Sequence, residues 1–280
     1  MRELVRSKYT ESASKGLGGR SRAQLGELLR RTMGTVSPEQ AARVLKLQPG
    51  KAAKLLSRWA SQGWLARVRR GLYVPVPLES QTADVALEDS WLVAERLFSP
   101  CYIGGWSAAE HWGLTEQIYR TVLVFTVRKP RNRAPVLRGA SFQLRSIREQ
   151  ALFGLKPVWR GRVRVNVSDP SRTVVDMLSD PALGGGLRST VDVLRAYLGS
   201  PEFRNLKLLQ NYAERLGNGA VFKRLGFLLE RYAPTENDAI AFCRARLSQG
   251  NAKLDPPIQA KRLASAWRLW LPAGWDKVQP

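Results

Sequence analysis

Between Ser37 and Val74 the spacing of apolar residues changes, and this restricts the local fold more than any other feature of the chain. Ser37-Pro38-Glu39-Gln40 is a strong helix start, with a serine cap, proline at the first helical position and a glutamine able to close a capping box. The helix it opens runs to about Leu45 and buries Ala41, Ala42 and Leu45. A turn at Leu47-Gln48-Pro49-Gly50 leads into a further helix from Pro49 to Gln62, which stops at Gly63. Upstream, residues 21–34 form a first helix with Leu25, Leu28, Leu29 and Met33 on one face and Gly34 at its end. Downstream the period falls to two. Trp64 to Arg69 alternates like a half-buried strand, Arg70-Gly71 supplies a turn, and Leu72 to Val74 returns before Pro75 and Pro77 stop regular pairing. Three helices followed by a basic-tipped hairpin is the order of a winged helix-turn-helix.

The third helix carries the sharper signal. At about 100° per residue, Leu55, Trp59, Ala52 and Leu56 fall within an arc of roughly 100°, and Lys51, Arg58, Lys54 and Ser61 within roughly 80° of another side. One face packs, and the other presents three cations and a hydroxyl. A recognition helix needs this division, because one side holds the domain while the other reaches the major groove. An ordinary solvated helix would also place Lys and Arg outside. The hairpin that follows, with Arg67, Arg69 and Arg70 set for phosphates or the minor groove, favours the recognition helix.

The charge points the same way. Forty-five Lys/Arg against 23 Asp/Glu leave +22 at pH 7, an excess that calls for a polyanionic partner. Residues 1–80 hold 16 of these cations and 5 of the acids. No run of about 18 apolar residues, basic amphipathic helix or lipidation signal favours a membrane, so double-stranded DNA is the expected partner. Residues 1–20 read as a flexible basic arm, or equally as an undemanding leader, and lack the apolar middle of a signal peptide. Only Cys101 and Cys243 are present, which suits a reducing cytoplasm, the expected location.

The expected organisation is therefore α+β: the arm at 1–20, the winged helix at 21–80, and a larger mixed domain at 81–280 with a small sheet early and a helical bundle late. Within that domain Glu79 to Ala83 reads as a linker, Asp84 to Phe98 as a helix, Tyr102 to Gly105 as a turn, and Trp106 to Trp112 as a short helix. Strands are expected at Thr121 to Val127, Ser141 to Arg145 and Arg162 to Val167. An Asp169-capped helix is expected to run to Leu178. Helical pieces near 187–198, 202–216, 219–232, 236–248 and 258–270 complete the reading. No heptad seam marks an obligate coiled-coil dimer, and a monomer in solution is expected.

No catalytic constellation emerges. His111 is the single histidine, and packing or capping explains it better than a metal site. The glycine runs at 16–19 and 184–186 lack the Gly-Lys-Ser/Thr ending of a phosphate loop. Asp169 and Asp176, seven apart, are read as structural, Asp169 as a cap. The expectation is a protein without catalytic residues, metal or cofactor.

Taken together, the stretch Ser37 to Val74 with its "RRGLYVPVPL" exit, "YIGGWSAAEHWGLTEQ" at 102–117, "VFTVRKPR" at 124–131, "SDPSRTVVDML" at 168–178 and "GNGAVFKRLGFLLER" at 217–231 resemble the AbiEi family, the antitoxin half of a bacterial type IV toxin–antitoxin pair. The resemblance implies an N-terminal winged helix that binds inverted repeats in its own promoter and represses it. It also implies a C-terminal domain that counters a toxin of nucleotidyltransferase fold, by direct contact or otherwise. It maps DNA contact onto Lys51, Lys54, Arg58, Arg67, Arg69 and Arg70. It offers Lys223, Arg224 and Arg231 as antitoxin candidates, with Phe222, Leu225 and Leu229 as the core stripe of the same helix. The alternatives are a plain winged-helix regulator with a ligand-sensing or oligomerising second domain and, less consistent with the residues, a nucleic-acid enzyme.

Overall fold

The computed structural model describes residues 18–32, 34–76, 89–137, 139–161 and 163–275. The chain is α+β, and its described residues fall into two compact units. The first holds those up to 96 together with 135–141 and 159–163; the second holds 97–134, 142–158 and those from 164 onward. Most of the expected basic arm, Met33, the linker Glu79 to Ala83 with the boundary at 80, the start of the helix expected from Asp84, and Arg162 lie outside the described residues.

In the first unit, α1 (Gly19–Arg31), α2 (Pro38–Leu45) and α3 (Pro49–Ser61) precede a hairpin of β1 (Leu65–Arg69) and β2 (Leu72–Pro75), and α4 (Ser90–Phe98) follows. The expected capping box is present. The Ser37 hydroxyl accepts from the Gln40 amide at 3.3 Å, and the Ser37 amide donates to Gln40 Oε1 at 2.9 Å. Lys46 ends α2 in the left-handed region, with φ 52°. Leu28, Val36, Ala41, Ala52, Leu56 and Trp59 are fully buried and, with Leu65 and Tyr73, form the core. A buried leucine such as Leu56 contributes roughly 1.5–3 kcal/mol relative to exposure. Val36, between α1 and α2, exchanges both backbone hydrogen bonds with Tyr73 of β2, at 2.8 and 2.9 Å. The hairpin is thereby tied to the helices along its second edge.

The rest of the chain contains a six-stranded sheet and a helical layer. Its elements in order are β3 (Cys101–Ile103), α5 (Gly105–His111), β4 (Thr121–Thr126), β5 (Val136–Leu137), β6 (Ala140–Ser146), β7 (Leu155–Arg160), β8 (Val163–Ser168), α6 (Pro170–Ser179), α7 (Leu187–Gly199), α8 (Leu206–Leu216), α9 (Gly219–Tyr232), α10 (Asn237–Ala245), β9 (Ala252–Lys253), β10 (Ala260–Ala264) and β11 (Leu269–Pro272). The sheet order is β5-β6-β4-β3-β8-β7, with β3 antiparallel to β4 and parallel to β8.

Two expectations are corrected here. Tyr102 to Gly105 is not a turn, since Cys101–Ile103 is an interior strand. It is buried on both faces and too short to show alternation. Gly104 and Gly105 are needed where the strand ends: a Cβ would lie 2.6 Å from the Phe125 ring at Gly104 and 2.3 Å from the Leu183 carbonyl at Gly105. The helix expected at 258–270 is instead the β10–β11 hairpin. Trp267, Leu269 and Leu271 are buried while Arg268 and Trp270 are exposed, a period of two. Strand β7 went unforeseen because Pro157 interrupts it, and it is tolerated because β7 is an edge strand.

Helix α6 is buried from Pro170 through Leu178 although that stretch carries four polar residues. Asp169 caps it by accepting from the Arg172 amide at 2.8 Å, as expected, and its other oxygen accepts from the Tyr212 hydroxyl at 2.8 Å. Arg172, 1% exposed, donates from Nε to Asp176 Oδ1 at 2.9 Å and from Nη2 to the Tyr102 hydroxyl at 3.1 Å. The Tyr102 hydroxyl donates in turn to Asp176 Oδ2 at 3.0 Å. Burial raises the Asp176 pKa above the usual carboxylate value despite the adjacent guanidinium, and raises that of Tyr102 well above 10. Asp176→Ala leaves Arg172 buried without its counter-charge, and is expected to cost about 3–5 kcal/mol, read as a lower urea midpoint.

Candidate nucleic-acid interface

Helix α3 has the two-faced character that its spacing predicts. Ala52, Leu56 and Trp59 are buried and Leu55 is half-buried, whereas Lys51, Lys54, Arg58 and Ser61 are exposed. Residues 18–76 contain twelve Lys/Arg and two acids, Glu27 and Glu39. Glu27 is occupied by Arg30 at 2.8 Å and Arg31 at 2.5 Å, contacts that hold its pKa below the usual value, Arg30 contributing most. Lys51, Lys54 and Arg58 make no ion pair among the described residues. Their charge is therefore available to an external anion. Ser61 contributes less than the sequence suggests, because its hydroxyl donates to the Arg58 carbonyl at 2.8 Å and retains only acceptor capacity outward.

The hairpin holds the remaining cations. Arg67 and Arg69 are exposed on β1, with buried Val68 between them, and a register shift separates the pairs Arg67↔Tyr73 and Arg69↔Leu72. Arg70 is exposed at the turn, which Gly71 closes with φ 77°. The Trp64 amide bonds the Trp59 carbonyl at 3.0 Å, so β1 leaves directly from the end of α3. One compact unit thus carries both the α3 cations and the hairpin cations. The Val36–Tyr73 pairing that positions the hairpin was missed in the sequence, since a one-residue bridge has no period to detect.

The antitoxin candidates occupy a different setting, in the second unit on α9. Phe222, Leu225 and Leu229 are buried there as expected. Lys223 and Arg224 are buried as well. Lys223 Nζ donates to the Gly250 carbonyl at 2.8 Å. Arg224 donates to the Lys253 carbonyl at 2.7 Å and to the Leu178 and Ser179 carbonyls at 2.8 and 3.0 Å, which caps the C-terminal end of α6. Burial lowers the pKa of both groups. These two side chains brace the interior and do not form an outward surface. Arg231 is half-buried, and its Nε has no hydrogen-bond partner among the described residues.

The other titratable residues singled out in the sequence, His111, Asp169 and Asp176, have structural partners. His111 sits edge-on to Trp112, with ring centroids 4.6 Å apart, and Asp169 and Asp176 are engaged as described above. Among the described residues no group of three or more His, Cys, Asp or Glu could hold a metal ion. Among the described residues no helix is long and apolar enough to cross a membrane. Arg224→Ala should strand three backbone carbonyls and destabilise the second unit by about 3 kcal/mol or more in urea unfolding; a surface role would leave stability within about 0.5 kcal/mol.

No curated protein matches the chain in sequence. Residues 24–76 match a family model described as a transcriptional regulator, AbiEi antitoxin. The matched stretch runs from the first turns of α1 to the end of the hairpin, while the motifs at 102–117, 124–131, 168–178 and 217–231 lie outside it. Over those residues the chain is thus similar to the AbiEi antitoxin family of transcriptional regulators, the family its motifs resemble.

Proposed function

We propose that the first unit is a winged helix-turn-helix that binds double-stranded DNA at the promoter of its own operon, and that the protein is an autoregulating antitoxin. The observation that carries the reading is α3, whose one face is locked into the core while the other holds Lys51, Lys54 and Arg58 without acidic partners. In this reading α3 enters the major groove, and Arg67, Arg69 and Arg70 contact the flanking backbone or minor groove. The second unit counters a toxin of nucleotidyltransferase fold. The protein acts by binding and not by catalysis, and it works in the cytoplasm.

Electrostatic binding of this kind has a measurable signature. If about six phosphates are neutralised, the slope of log K against log salt is near −5, as mobility shifts with the upstream duplex at several salt concentrations would read. A flat response would remove the basis of the proposal. Replacing Lys51, Lys54 and Arg58 together by alanine should abolish repression of a promoter reporter while leaving rescue from the co-expressed toxin intact. Loss of both would mean that neutralisation acts through DNA or that the substitutions disturb folding.

The hairpin makes a separate expectation. Arg67→Ala, Arg69→Ala and Arg70→Ala combined should shift the salt slope by up to about 3 and weaken operator and random duplexes by similar factors, as expected of backbone contacts. A loss confined to the operator would instead assign the wing to base readout.

A further inference from the structure

Helices α1 and α3 line an open cleft of about 500 Å³. Its α3 wall carries Lys51, Lys54 and Arg58, and its α1 wall carries Arg20, Ser21 and Gln24, with Gln24 three residues after Ser21 and four after Arg20. The sequence alone assigns Arg20 to a flexible arm; in the structure it belongs to the first turn of α1. Cations thus stand on both walls, no carboxylate lines the cleft, and none of the three α1 side chains makes a hydrogen bond or ion pair among the described residues. A concave, acid-free channel between two cationic walls suits a single anionic strand. Its volume is that of a site for one small ligand, far short of a duplex.

Resting on the DNA-binding reading above, we propose that α1 is a second DNA-contacting element. One sugar–phosphate strand beside the groove that α3 enters lies in the cleft between α1 and α3. Arg20 grips it through charge, and Ser21 and Gln24 grip it through neutral hydrogen bonds. These are backbone contacts, so they set position and affinity without reading bases.

The test uses the full chain, its upstream duplex and a random duplex of equal length, with binding measured across a salt series. Arg20→Ala should make the slope shallower by about 0.9 and weaken both duplexes by the same factor. Arg20→Lys should retain the slope. Gln24→Ala should weaken binding about five- to tenfold with the slope unchanged, the signature of an uncharged contact. All three sites are exposed or half-buried, and unaltered thermal melts would confirm that folding is preserved. An unchanged slope in Arg20→Ala, alongside a shallower one in Lys51→Ala, overturns the role of α1 and leaves DNA binding through α3 standing. Loss confined to the operator duplex overturns the backbone assignment. Wild-type protein that binds neither duplex overturns the DNA-binding reading itself, and this inference with it.

Discussion

The larger unit depends on how α6 keeps charge in its interior. A helix buried along its whole length has to satisfy every polar group it carries. Arg172, Asp176 and the Tyr102 hydroxyl do this as a closed triangle, with Asp169 turned outward to its own helix start and to Tyr212. The contacts reach beyond α6: Tyr102 lies on the interior strand β3, Tyr212 on α8 holds Asp169, and Arg172 also stacks over Phe153 at 4.0 Å. Such a triangle adds little net stability compared with a well-packed apolar core, but it tolerates one arrangement of its neighbours and penalises others. Arg224 extends the same logic from α9 to the carbonyls at the far end of α6.

The first unit solves a different problem, which is to expose unpaired charge without losing the fold. Its stability comes from Leu28, Leu56, Trp59 and the capped start of α2, none of which needs the cations. Lys51, Lys54 and Arg58 are consequently free of structural duty. This allows the proposed DNA contacts to be changed without unfolding the unit, and it separates them from Lys223 and Arg224, where charge and architecture are inseparable.

Much of the first unit was legible in the sequence because its signals are local. A capping box spans four residues, α3 repeats its faces within thirteen, and the hairpin announces itself through Arg70-Gly71. The elements that escaped are those defined by partners far along the chain. Strand β3 looks like a turn until Phe125 and Leu183 explain why two glycines must follow it. Residues 258–270 contain enough leucine and alanine to imitate a helix, and only the pairing of β10 with β11 sets their period to two. For the candidate site, the cation face of α3 could be computed from helical geometry. The burial of Lys223 and Arg224 could not, because a basic residue beside an apolar stripe reads as surface until its carbonyl partners are known.

The single bridge between Val36 and Tyr73 has a mechanical consequence. A two-stranded hairpin on its own is a compliant lever, free to swing about its base. With Val36 stitched to its second strand and Trp64 bonded back to Trp59, the lever is clamped on both sides of its root, and only the tip around Arg69, Arg70 and Gly71 is left to bend. The distance between the α3 cations and the hairpin cations is then a gauge length built in during folding. A partner of matching spacing meets it without any ordering of the clamped root, while one of different spacing has to deform itself.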